Sequence, residues 1–195
     1  MELPGAGNRV LYLCSGSLRL RSIDHAAALT ANDAWRGSAA CTLIAGPAGA
    51  EIYRWELRRA AETPATGKAI LEAPINLNAG EQYLMRCDRV DFPPGGIAYT
   101  HTHRGPGIRC LLAGSLKVEV NGGAHDINPG EPWFEAGSDP VLATASASIA
   151  TSFARVMILP AELLGKSSIR YVLPADQDKP KRQTYQMFID DEINI

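Results

Sequence analysis

The sequence has no C-x-x-C pair and no apolar run approaching the ~20 residues of a membrane span, and no basic start leads into an apolar segment. It also has almost no helical periodicity. Cys14, Cys41, Cys87 and Cys110 lie far apart, which excludes zinc-ribbon and thioredoxin-like spacings and fits a reducing, cytoplasmic setting. With 19 Lys and Arg against 21 Asp and Glu the formal net charge is only -2, and the signs are interspersed. Neither a nucleic acid nor a membrane surface is therefore expected as a partner. The short basic cluster of Lys179, Lys181 and Arg182 reads as a solvated tail face.

What is present is a series of short apolar segments, several of them alternating, broken by Gly, Pro and Asn about every ten residues. That is the pattern of an all-β sandwich or barrel. At 195 residues the chain is long enough to build a core without disulfides. An internal repeat organises it. Shifting the chain by 98 residues lays "YLCSGSLRLRSIDHAAALTANDAW" (12–35) over "CLLAGSLKVEVNGGAHDINPGEPW" (110–133) without a gap. Asp33 then falls on Glu131 and Trp35 on Trp133, and three extra residues later Arg54 falls on Arg155. The second copy is preceded by "GEQYLMRCDRVDFPPGGIAYTHTH" (80–103), for which the first copy has no counterpart, so residues 9–57 are expected to form a smaller, incomplete unit. The segment 58–80 reads as a connection. A helical turn at 161–164, ended by Gly165, is expected after Pro160. Residues 185–189 read as a strand that pairs with the edge of the N-terminal half, within the chain or across a dimer.

In "GGIAYTHTHRGPGIRCLLAGSLKV" (95–118), His101 and His103 stand two residues apart, on one face of an extended strand. Two imidazoles side by side suit Zn, Ni, Fe or Cu, although a stable site wants three or four protein ligands. Gly95, the His-Thr-His core and Gly114, followed by "NPGEPWFEAG" (128–137), resemble the two sequence motifs of the cupins. The resemblance implies a double-stranded β-helix, the jelly-roll barrel, preceded by a truncated second cupin-like unit. It divides the chain into a truncated repeat (1–62), a linker (63–79), a barrel (80–175) and a tail (176–195). It also implies metal binding, small-molecule ligands and a homodimer. The pattern is incomplete: the glutamate expected after the histidines falls on Gly107 and the third histidine on Pro140, neither of which can ligate.

Strand parity names candidates for what is missing. Tyr99 is expected on the face of His101 and His103 as a substrate-binding residue. Arg109, expected on the face of the absent glutamate, is a candidate to clamp a substrate carboxylate in a two-pronged grip or to pair with Glu135. Glu135 itself is a candidate third ligand or catalytic base, with rim acid as the plain alternative. Trp35 and Trp133 read as packing residues, His25 and His125 as solvated, and Cys110 as a small apolar group. Asp33 and Glu131 are expected to bond to turn backbone. Two functions compete. One is a barrel enzyme, an oxygenase, isomerase or lyase, using Zn, Ni, Fe or Mn on a small organic acid or carbonyl compound. The other is a metal-free anion-binding or sensor barrel. A mainly structural role for the repeat, covering the barrel's edge strands, is a third reading.

Overall fold

The computed structural model describes every residue except 24, 61, 63–66 and 68, so the first part of the expected linker lies outside the described residues. The chain divides into two compact units, Met1–Ile70 with Ile193–Ile195, and Leu71–Glu192.

The first unit is one antiparallel sheet. Its strands are β1 (Glu2–Leu3), β2 (Asn8–Ser22), β3 (Ala26–Thr30), β4 (Ala34–Gly37) and β5 (Cys41–Leu57). The long β2 takes β4 along its first half and β3 along its second, and its register against β5 shifts on both sides of Gly16, whose φ is +81°. A Cβ at Gly16 would lie 2.1 Å from the carbonyl oxygen of Gly49, so only glycine fits this crossing. Alternate leucines of β2 (Leu11, Leu13, Leu18 and Leu20) join Leu3, Leu29, Cys41 and Leu43 in the core, with Trp35 packed against them.

The second unit consists of two five-stranded sheets packed face to face. One has the order β10 (Gly123–Ile127), β9 (Leu116–Val120), β12 (Val141–Ala145), β7 (Ile97–His103) and β14 (Ile169–Tyr171). The other runs β11 (Pro132–Glu135), β8 (Gly107–Ala113), β13 (Thr151–Pro160), β6 (Tyr83–Phe92) and β15 (Thr184–Ile193). Val90, Phe92, Leu111, Phe153 and Trp133 from the second sheet meet Ala98, Leu116, Val118, Ile127, Val141, Ala143 and Ala145 from the first. The interior is thus apolar toward one end. At the other end the same faces carry His101, His103, Arg109 and Arg155, all less than 10% exposed.

Pairings 98 residues apart share their register: Leu11 opposes Trp35 as Arg109 opposes Trp133, and Leu18 opposes Leu29 as Leu116 opposes Ile127. A short 3-10 turn, Ala161–Leu163, follows β13, and a single helical turn, α1 (Pro174–Gln177), follows β14.

The tail differs from expectation. Its strand, β15, pairs with β6 of the second unit, whereas the sequence suggested the N-terminal sheet. Arg86 on β6 explains the choice. Its guanidinium donates to both oxygens of Asp190 at 2.8 Å and to the carbonyls of Leu163 and Lys166 at 2.7 Å, which ties β15 and the 3-10 turn to one strand. Such charge-assisted, two-pronged bonds fix register as well as adding energy. In the basic cluster Lys179 and Arg182 are exposed and Lys181 is half-buried; Lys179 lies 4.6 Å from the centre of the Tyr99 ring and Lys181 4.4 Å from that of Tyr171.

Candidate metal and anion site

The polar end of the barrel is assembled from β7, β8, β11, β13, β6 and β14. Val141 opposes His101 on β7, but Ala143 opposes Ala98, so β7 carries one extra residue between the two pairings. This bulge resets the parity of the strand. Ala98, His101 and His103 consequently all face inward, whereas Tyr99 is half-exposed with its ring against Lys179. The expectation that Tyr99 shares the histidine face, and its substrate-binding role with it, is corrected by that bulge. What Tyr99 contributes to the site is its backbone carbonyl, 2.7 Å from Nδ1 of His101.

The partners of the two imidazoles set their tautomers. A carbonyl oxygen only accepts, so Nδ1 of His101 carries the proton and Nε2 keeps its lone pair. Nε2 of His103 lies 3.3 Å from Nη1 of Arg155, which only donates; that nitrogen is therefore the acceptor, and Nδ1–H donates to Oγ of Ser168 at 3.1 Å. Burial holds both histidines below their usual pKa range, and for His103 the charges of Arg155 and Arg109 lower it further. Both rings are neutral at pH 7, the form that binds metals.

Glu135 reaches the same space from β11. It opposes Gly107, so the carboxylate absent at position 107 arrives from the neighbouring strand on the same rung of the ladder. Gly107 itself has no room for a side chain, since a Cβ there would lie 2.6 Å from the carbonyl oxygen of Val156. Oε1 of Glu135 accepts the indole N–H of Trp133 at 2.9 Å, and Oε2 is 2.7 Å from Nη2 of Arg109. Trp133 therefore does more than pack edge-on against Phe153, the role suggested by sequence. One ligand atom each from His101, His103 and Glu135 lie within 4.8 Å of one another.

Two guanidiniums frame this cluster. Arg109 is fully buried, donates to the Gly107 carbonyl at 2.6 Å and pairs with Glu135; burial lowers its pKa to about 10, which leaves it charged at neutral pH. Arg155 donates to both oxygens of Asp88, at 2.6 and 3.0 Å. Burial opposes the charge on Arg155, but Asp88 more than reverses that, so its pKa is raised. Two cations and two carboxylates thus balance within the barrel, as charges taken out of water require.

Sequence reasoning did not single out Asp88, Ser168, Tyr171, Gln183 or Tyr185. Tyr171 opposes His101 on β14, with its ring 6.4 Å from the imidazole. Tyr185 lies 5.8 Å from the Arg155 guanidinium. Gln183, 5% exposed, donates Nε2 to the Tyr185 hydroxyl at 3.2 Å, while its buried Oε1 has no hydrogen-bond partner among the described residues. Arg155 did carry a signal, being matched to Arg54 in the repeat. Asp88 was visible as an acid inside the apolar run of β6.

Other candidates lie elsewhere. His25 and His125 are exposed, and Pro140, at the third-histidine position, offers no donor. Asp33 and Glu131 accept bonds from the backbone N–H groups of Thr30 and Asn128, both at 2.7 Å. Cys110 is 2% exposed.

Neither a protein-family model nor a curated protein matches the sequence. Solved structures do match. AerE from Microcystis aeruginosa aligns at a TM-score of 0.59 and 16% identity, over 82% of this chain and 81% of that one. A cupin 2 conserved barrel domain protein from Leptotrichia buccalis aligns at 0.50 and 16% identity, over 81% and 77%. The chain has the cupin fold, an all-β jelly roll. At these identities the likeness concerns the fold alone, and fold does not select a chemistry.

Proposed function

We propose that the C-terminal barrel binds a divalent transition metal, Zn, Ni, Fe or Mn, at His101, His103 and Glu135, and beside it a small organic acid or carbonyl compound. The observation that carries this reading is the meeting of three donors from two strands within 4.8 Å, with both imidazoles neutral. The donor set fits such an ion. Two nitrogen donors and one carboxylate suit a borderline cation and leave positions open for water or ligand. Each oxygen of Glu135 retains a second lone pair beside the one it gives to Trp133 or Arg109. When bound, the ion would act as a Lewis acid toward a coordinated carbonyl or carboxylate. Arg109 orients an anionic group in a two-pronged grip, and the apolar end of the barrel excludes water; a catalytic-base role for Glu135 is the alternative to its role as ligand. A homodimer, and the four-part division drawn from the sequence, belong to the same proposal.

The Arg109–Glu135 and Arg155–His103 contacts favour a second reading, a metal-free barrel in which the arginines bind an anion. Elemental analysis of untagged protein supplied with Zn, Ni, Fe and Mn separates the two. About one equivalent, lost in the H101A/H103A variant, is expected. Less than about a tenth of an equivalent would leave anion binding by Arg109.

A further inference from the structure

The nitrogen that His103 would offer an ion is already engaged. Its Nε2 accepts from Nη1 of Arg155 at 3.3 Å, and a lone pair accepting a hydrogen bond is not available to a metal. Nor can the guanidinium drift away freely, since Nε and Nη2 of Arg155 are held on Asp88 at 2.6 and 3.0 Å and both residues are less than 10% exposed. The guanidinium is a permanent cation, so the contact sets a fixed positive charge against the imidazole nitrogen. A divalent ion ~2.1 Å from Nε2 would stand against that charge.

We propose that Arg155, locked by Asp88, is an internal competitor for the ion position: the guanidinium and a divalent cation occupy Nε2 of His103 in turn, and the Asp88 clamp sets how weakly the barrel holds its metal. The inference rests on the metal-binding reading above and adds to it a residue that opposes binding. It differs from an ordinary supporting contact in its sign, because removing a supporting residue weakens metal binding and removing a competitor strengthens it.

Titration of the full chain with Co²⁺, followed by visible absorption and calorimetry, tests this. Arg155→Gln, which loses the charge, and the D88N/R155L double variant, which leaves no unpaired acid, are each expected to bind Co²⁺ at least about tenfold more tightly than the wild type. H101A/H103A provides the blank, and thermal melting confirms that each variant is folded. Equal or weaker binding in both variants, with clear binding in the wild type, overturns the competition and leaves the metal site standing. No binding in any of them overturns both. Wild-type protein gives an independent reading should the variants fold poorly. On addition of Zn²⁺ the Nε–H signal of Arg155 is expected to shift together with the ring nitrogens of His103, and an Arg155 signal that stays in place while the His103 signals move overturns the proposal.

Discussion

At positions 98 residues apart, the two units place opposite chemistries on equivalent strands. Leu11 of β2, opposite Trp35, is buried in a cluster of leucines; Arg109 of β8, opposite Trp133, is equally buried and paired with Glu135. On the next strand, Leu11 opposes Arg54 where Arg109 opposes Arg155. Arg54 lies 3.4 Å from Glu56, and Glu56 also pairs at 3.2 Å with the buried Arg9, whose guanidinium reaches the Pro4 carbonyl and Sγ of Cys41. In the first unit, then, the ladder serves packing and one ion-pair cluster built from a single strand pair. In the second, the same ladder gains β6 with Asp88, and the facing sheet brings β7 with His101 and His103. A common strand geometry therefore does not determine function. What separates the units is which side chains converge on the inner face, and the flanking strands that supply them.

The largest expected effect breaks the charge balance on one side only. Asp88→Ala leaves Arg155 buried without its carboxylate and should cost about 3–5 kcal/mol of stability in denaturant titration. Glu56→Ala should cost less, because Arg9 keeps its bond to the Pro4 carbonyl. An equal loss in both would mean that the charge cluster of the second unit is not specially balanced.

A second comparison sharpens what the units share. Gly16 and Gly114 are equivalent, with φ of +81° and +79°, and a Cβ on either would lie within 2.5 Å of a neighbouring strand's oxygen, at 2.1 and 2.4 Å. Alanine at each should destabilise by roughly 1–3 kcal/mol. Loss at one site alone would show that the crossings are built differently.

The histidine pair gives a smaller, pH-dependent effect confined to the second unit. Burial lowers both folded-state pKa values below the ordinary 6.5, so the unfolded chain takes up protons that the folded one refuses. Stability is therefore fully present above pH 6.5 and falls as pH drops below it, by up to about 1.4 kcal/mol per pH unit for each histidine. The melting temperature of H101A/H103A should accordingly fall less steeply than the wild type's between pH 6.5 and 5.5. Parallel curves would contradict the burial of neutral rings.

How far the sequence reaches follows from the same strands. Alternation and regularly spaced Gly, Pro and Asn turns are local signals, so an all-β sandwich or barrel was legible. The jelly roll followed from the resemblance of residues 95–114 and 128–137 to the cupin motifs, and strand parity was enough to turn His101 and His103 on one sheet and Arg109 and Glu135 on the other toward the interior. Parity failed at Tyr99 because the β7 bulge has neither glycine nor proline to announce it. The tail was misplaced because its partner is chosen by Arg86 and Asp190, 104 residues apart, a contact that no local pattern reveals. Asp88, Ser168 and Tyr171 likewise enter the site through contacts with Arg155, His103 and His101 that lie far away in sequence.

The central claim is that the His101, His103 and Glu135 cluster of the second unit is a metal-binding site, and X-ray diffraction from crystals grown with Co²⁺, measured at the cobalt absorption edge, tests it most directly. The account predicts one anomalous peak within coordination distance of Nε2 of both histidines and of Glu135, with Arg155 turned off His103. No peak at the cluster at saturating Co²⁺, with Arg155 still seated on His103, would contradict it.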